Sequence, residues 1–292
     1  MKSLGGYLNL VPPSGLRDCV TASSTKAGEP GWVTVKDSGG HSVIVDPNPW
    51  NTWDGSGSSS AKLCSDSLNV VVSYSEATAT RPPETVLGYP EVIYGYKPWG
   101  VQLSTNTSPL LQLPAKVGQL PQALAYVDYI VEFPNGRGNL AFDLWLTRGP
   151  GQGRVGPREL EVMIWLYRSP GFNPMGYQSP SLTLGLPTVV NGRPGVVNWG
   201  VYIADPMGPG RWTYVAFVME PPLASGSVLV PLTLMLRSLR ELLPWGSEVM
   251  DLYLNGLELG MEYTSLTWPP TKVSVLARYR LNSYGVLVLP QN

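Results

Sequence analysis

Glu161-Val162-Met163-Ile164-Trp165-Leu166-Tyr167 reads as a β-strand. Successive side chains of an extended chain point to opposite faces, so Glu161, Met163 and Trp165 share one face and Val162, Ile164 and Leu166 the other. The aliphatic set belongs in a core. The opposite set puts a carboxylate beside a thioether and a large aromatic ring, an odd mixture for a plain solvated surface.

Working outward, similar alternating or β-branched runs occur at 32–35, 41–45, 68–74, 125–133 and 140–146. They continue at 196–203, 213–219, 254–263, 272–280 and 284–289. Gly, Pro, Asn or Ser clusters bound most of them, and so many short strands with turn chemistry between them imply an all-β sandwich or barrel. One segment differs. Leu232, Met235, Leu236, Leu239 and Leu243 recur at helical spacing between Pro231 and Pro244, which predicts a short amphipathic helix on the outside of a sheet. Residues 1–15 are expected to be a flexible N-terminal segment, and Gly55-Ser-Gly-Ser-Ser-Ser60 a mobile surface loop. No internal repeat is visible, and residues 16–292 are expected to form one domain.

The composition excludes several classes of function. Twenty Lys+Arg against 21 Asp+Glu give a net charge of -1, which offers nucleic acid or an anionic membrane no electrostatic reason to bind. No run approaches the length of a transmembrane helix. Hydrophobic residues make up 43 % of the chain, so a large core is available, and 32 Gly with 29 Pro indicate many turns. One histidine, His41, and two cysteines, Cys19 and Cys64, make an all-protein zinc site improbable and leave any Ser-His-Asp triad dependent on His41. No metal and no cofactor is expected; chemistry here would run on carboxylates.

Low charge and many Ser, Thr, Gly, Tyr and Trp suit an extracellular protein, in which Cys19 and Cys64 could pair; two buried free thiols are the other reading. The opening residues lack the apolar stretch of a signal peptide, so an extracellular location implies a signal outside this sequence. Gly151-Gln-Gly-Arg-Val-Gly156 matches G-x-G-x-x-G, but it leads into a strand, not a helix, and so reads as a glycine-rich turn rather than a dinucleotide fingerprint.

Two further strands carry acids among apolar residues. In Leu257-Glu-Leu-Gly-Met-Glu-Tyr263, Glu258, Gly260 and Glu262 share a face; in Phe142-Asp-Leu-Trp145, Asp143 and Trp145 do. An exposed acid on an outer strand face is the ordinary reading of any one of them. Three such strands together describe a concave sheet face with acids at its centre and aromatics along it, which suits polysaccharide hydrolysis. A pyranose offers its apolar C–H face to rings, and its hydroxyls to polar groups.

These residues resemble glycoside hydrolase family 12, the small endo-β-1,4-glucanases and xyloglucanases. Glu161-Val-Met-Ile-Trp165 is similar to that family's nucleophile strand, and Gly260-Met-Glu-Tyr263 to its acid/base strand. Asn48-Pro-Trp50 resembles the sugar-binding Asn-x-Trp, Gly88-Tyr-Pro90 through Gly95 the Tyr-Pro…Gly stretch, and Asn173-Pro-Met-Gly176 the loop after the nucleophile strand. The set runs in consistent order from about residue 19 to the C-terminus. Asn51-Thr-Trp53 is a second Asn-x-Trp, and the sequence leaves open which one lines the groove. Glu258 stands where the family usually has a neutral residue, and Thr264 where it has an aromatic.

The resemblance implies a two-sheet antiparallel jelly-roll with a concave cleft. It implies a retaining endo-acting hydrolase of β-1,4-glucosidic bonds, in which Glu161 is the nucleophile, Glu262 the general acid/base and Asp143 a hydrogen-bonding support for Glu161. Asn48, Trp50, Met163, Trp165 and Pro174 would contact sugar, with Tyr96 and Trp99 as further aromatic candidates, and Cys19 would pair with Cys64 as in many members. The partner is then a β-glucan, handled by a monomer. Extra length over a minimal domain is expected as loops at 51–62 and 103–122. The competing readings are a non-catalytic glucan-binding sandwich, which would have no use for two opposed glutamates, and a lectin-like β domain.

Overall fold

A computed structural model describes residues 5–53, 55–79, 86–99, 103–177, 179–207, 211–266 and 272–290. The first strands are β1 (Gly6–Val11), β2 (Val20–Ser24), β3 (Val33–Lys36), β4 (Ser42–Asp46), β5 (Ser56–Leu63), β6 (Leu68–Ala77) and β7 (Glu91–Lys97). The middle of the chain adds β8 (Leu103–Ser104), β9 (Ala115–Lys116), β10 (Ala123–Asn135), β11 (Arg137–Thr147), β12 (Leu160–Arg168) and β13 (Leu182–Val190). The last are β14 (Arg193–Met207), β15 (Trp212–Glu220), β16 (Ser225–Val230), β17 (Tyr253–Leu254), β18 (Gly256–Gly260), β19 (Tyr263–Thr264) and β20 (Val273–Val288). Helix α1 (Leu232–Leu242) is the one α-helix among the described residues.

Strand pairing builds two layers. One runs β2–β5–β6–β20–β10–β16, with β1 beside the second half of β20. The other runs β3–β4–β7–β18–β11–β12–β15–β14–β13, and β13 meets β16 where the layers join. The expected all-β sandwich is present. Its pairing departs from a purely antiparallel scheme at one ladder, β12 beside β15, which is parallel.

The core lies between the layers. Val70 and Val72 of β6, Val127 and Tyr129 of β10, and Tyr279 of β20 pack with Phe142 and Leu144 of β11, Val162 and Ile164 of β12, and Phe217 of β15. α1 covers one side with Leu232, Met235, Leu236 and Leu239 buried, and Thr233 Oγ1 accepts from the Ala123 amide at 2.7 Å.

Two expectations are corrected. The stretch Gly6–Val11, read as part of a loose end, is strand β1 on the edge of β20, with Leu8, Leu10 and Val11 buried. Gly55–Ser60, read as a mobile loop, lies largely in β5 between β2 and β6. Serines give no hydrophobic alternation, yet Ser59, Ala61 and Leu63 still point inward, and Ser59 Oγ donates to the Pro47 carbonyl at 2.6 Å. Gly57, at φ 137°, lets β6 approach: a Cβ there would sit 1.9 Å from the Ser73 carbonyl oxygen. The expected loop at 103–122 contains β8, β9 and two short 3-10 turns.

Candidate active site

The second layer turns one set of side chains into the core and the other outward, and register lines the outward set into rows. One row crosses five strands as Ile44, Ile93, Glu258, Asp143 and Met163, and continues to Ala216 on β15. The next row holds Trp145, Glu161 and Tyr214. On the other side lie Glu91, Gly260, Ala141 and Trp165. Val162, Ile164 and Leu166 are in the main core, while Met163 and Trp165 belong to a separate apolar cluster with Phe172, Tyr202 and Tyr214, as the alternation of β12 requires.

Glu161 sits between aromatics. Trp145 is its cross-strand partner on β11, and the indole Nε1–H of Trp212 donates to Glu161 Oε2 at 2.8 Å. Trp145 packs edge to face with both Trp99 and Trp212, and Trp99 is tilted against Trp212, with centroids 5.5–5.8 Å apart. Burial pushes the Glu161 carboxyl up to about 8; the Trp212 N–H opposes this, and the charges on Glu262 and Glu258 add to it.

Glu262 lies just past the end of β18, where the regular ladder stops before β19. Asn139, fully buried on β11, holds it at both ends: Nδ2 donates to Glu262 Oε2, and Oδ1 accepts from the Glu262 amide at 3.1 Å. Burial raises Glu262 to about 7, opposed by the Asn139 hydrogen bond. Asp143 is pushed well above its ordinary value by burial and then by the charge of Glu161; its Oδ1 is buried without a hydrogen-bond partner. Burial pushes the Tyr214 hydroxyl well above its ordinary value, and the charges of Glu262, Glu161 and Asp143 add to this. That hydroxyl donates to Met163 Sδ at 3.4 Å, and Trp165 Nε1 does so at 3.3 Å.

Beside them lies an ionic cluster that sequence reading missed. Lys97 Nζ contacts Glu91 Oε1 and lies 3.2 Å from Glu258 Oε2, with all three side chains nearly or fully buried. Asn48 Nδ2 donates to Glu91 Oε1 at 2.7 Å. This distinguishes the two Asn-x-Trp motifs: Asn51 is fully buried with Nδ2 on the Val86 carbonyl, and Trp53 is 59 % exposed with Lys26 Nζ 5.8 Å from its ring centre. Asn48 belongs to the acid cluster, and Trp50 beside it is half-buried. The other candidates lie as follows. Pro174 is buried at the start of a 3-10 turn after Phe172, whose ring stacks on Trp165 at 5.5 Å. Tyr96 lies half-buried against the turn at Gly151. That glycine-rich segment is a turn, with the Gly151 amide on Asn255 Oδ1 and the Gly156 amide on Glu159 Oε2. His41 faces Asp37 at the β3–β4 turn, 3.3 Å from its carboxylate. Cys19 and Cys64 form a disulfide tying the start of β2 to the end of β5.

The family model of glycosyl hydrolase family 12 matches residues 41–277, most of the chain, including Glu91, Asp143, Glu161, Glu258 and Glu262. The chain belongs to glycosyl hydrolase family 12. Solved structures of the same architecture include endoglucanase Cel12A from Rhodothermus marinus, at 21 % identity over 93 % of this chain and 99 % of that one, TM-score 0.58. A family 12 xyloglucanase from Bacillus licheniformis aligns at 18 % identity over 91 % and 100 %, TM-score 0.59. Endoglucanase 3 from Trichoderma harzianum aligns at 17 % over 93 % and 97 %, TM-score 0.58. No curated protein sequence matches.

The raised carboxyls of this family 12 member make its stability depend on pH. Asp46 is lifted by burial to about 6, Glu258 and Glu262 to about 7 and Glu161 to about 8. Between the ordinary carboxyl value and those values the folded state keeps protons that the unfolded chain has lost, so stability falls as pH rises. The melting temperature is expected to be highest near pH 4.5–5 and to drop by at least ~5 °C by pH 8. Thermal melts at constant ionic strength check this; a midpoint that is flat or rising across the range contradicts it.

Proposed function

We propose that this glycoside hydrolase is a retaining, endo-acting enzyme for β-1,4-linked glucans, with Glu161 as nucleophile and Glu262 as general acid/base. The observation that carries the reading is that both glutamates lie on the outward face of the second layer, each held by a buried donor, Trp212 for one and Asn139 for the other. In the first step a Glu161 oxygen bonds to the anomeric carbon as the bond to the leaving glycosyl oxygen breaks, and Glu262 gives that oxygen its proton. In the second, Glu262 takes a proton from water, the water oxygen bonds to the anomeric carbon, and the Glu161 ester breaks.

The pair must hold one proton and one charge. Burial disfavours ionisation at both sites and mutual repulsion disfavours the second charge, which supports a singly charged pair near neutrality. Which member keeps the proton is assigned by motif, Glu161 in Glu-Val-Met-Ile-Trp and Glu262 in Gly-Met-Glu. Met163, Trp165, Tyr214 and the Trp99–Trp145–Trp212 cluster supply apolar and aromatic surface for the sugar rings, with Asn48, Trp50, Tyr96 and Pro174 as further contacts. The Cys19–Cys64 bond favours an oxidising, extracellular setting.

Glu161→Gly supplied with azide is expected to release a glycosyl azide of inverted configuration, while wild type releases sugar of retained configuration, both read by proton NMR. Retention without azide rescue removes Glu161 from the role; inversion by wild type removes the mechanism. Reducing-sugar release from carboxymethylcellulose, lichenan and xyloglucan identifies the glucan, and release from none rejects the substrate class.

A further inference from the structure

We propose that Trp212 is the positioning residue of the nucleophile: its indole N–H occupies Glu161 Oε2, stabilises the carboxylate and leaves Oε1 as the attacking oxygen. The inference rests on Glu161 being the nucleophile and goes beyond it by assigning a donor.

The placement follows from the parallel ladder. Leu160 and Glu161 of β12 lie opposite Thr213 and Tyr214 of β15, so Trp212 sits two residues before the partner of Glu161 and on the same face. From there the indole reaches diagonally across to the carboxylate at 2.8 Å. Its ring cannot swing away freely. Trp99 packs against it at 5.5 Å and Trp145 at 5.8 Å, and the residue is only 9 % exposed. A fixed donor fits the chemistry. An indole N–H donates but never accepts and does not titrate, so it favours the anion at every working pH. It also resists the burial and the neighbouring acids that push Glu161 toward protonation. Once Glu161 is esterified through Oε1, the same N–H still finds Oε2, now the ester carbonyl oxygen, so the contact persists through both steps.

Trp212→Phe keeps an aromatic ring against Trp99 and Trp145 and removes the donor together with part of the ring volume. The expected result is a kcat lower by roughly tenfold to a hundredfold, with KM changed far less. The acidic limb of the pH–rate profile should move upward by about one unit. A purely structural role would move neither that limb nor the split between kcat and KM. Wild-type kcat with an unmoved limb overturns the proposal. Should Trp212→Phe not fold, indole-15N-labelled wild-type protein serves instead. One indole N–H signal is expected to shift across the pH range of the acidic limb and to stay fixed in Glu161→Gln; no such signal overturns the proposal. Azide rescue of Glu161→Gly separates the two readings: rescue with an unmoved limb ends the role of Trp212 alone, whereas absence of rescue ends the assignment of Glu161.

Discussion

Glu161→Gln is expected to lower kcat/KM on a soluble β-1,4-glucan by roughly 10³-fold or more, and Glu262→Gln by about 10²–10⁴-fold, with the fold intact. An amide has nearly the shape of the carboxyl it replaces but neither attacks an anomeric carbon nor exchanges a proton near neutral pH. The folded state should tolerate both changes. Burial already disfavours the charged form of each side chain, so a neutral amide removes a cost. Above pH 7 each variant is therefore expected to melt at or above the wild-type temperature, which separates lost chemistry from lost structure. Leaving-group dependence separates the two roles. An aryl glycoside with an acidic phenol leaves without help, so Glu262→Gln should form the glycosyl-enzyme from it rapidly, as a burst of phenol, while Glu161→Gln stays inactive on every substrate. Near-wild-type turnover by either variant removes that residue from its role.

The sequence announced local features and concealed those made by distant strands. The face of Glu161, Met163 and Trp165 was legible because alternation is a property of seven consecutive residues, and α1 because its leucines repeat at helical spacing between two prolines. β5 was not, since Ser and Gly carry no hydrophobic signal; its place comes from β2 and β6 on either side and from small residues that fit between them. Glu258 was recognisable as an unusual acid, but its counter-ion Lys97 is 161 positions away in chain and beside it only through the β7–β18 pairing. Trp212 reaches Glu161 through a parallel ladder, and Asn139 reaches Glu262 from another strand. A hint did exist for Glu91, an acid opening the apolar run Val92-Ile-Tyr94. For Trp212 there was none beyond its being one of ten tryptophans.

Lys97→Met is expected to cost about 3–5 kcal/mol of stability at pH 7. Lys97 is the cation at the centre of Asp46, Glu91 and Glu258, and its ammonium holds down the pKa of all three against the upward push of burial. Methionine fills similar volume but leaves buried carboxyls with no opposite charge. Those groups escape the penalty by binding protons, which fixes the sign of the pH dependence. Near pH 4.5 about half of the glutamate carboxyls are protonated in the unfolded chain as well, the cost of neutralising them shrinks, and the variant should move toward wild type; as pH rises the gap should widen. Adding Glu91→Gln and Glu258→Gln to Lys97→Met removes two of the three stranded carboxyls, leaving Asp46, and is expected to recover much of the loss. Asn48 should loosen in the single variant and in the triple, because its amide hydrogen bond ends on the Glu91 carboxylate. Activity should then fall through weaker substrate binding in both, even where stability has returned. Urea unfolding at pH 4.5, 7 and 8 measures the first effect and KM the second. A Lys97→Met protein as stable as wild type at pH 7 would mean that the three acids are already neutral there and that Lys97 holds nothing in place.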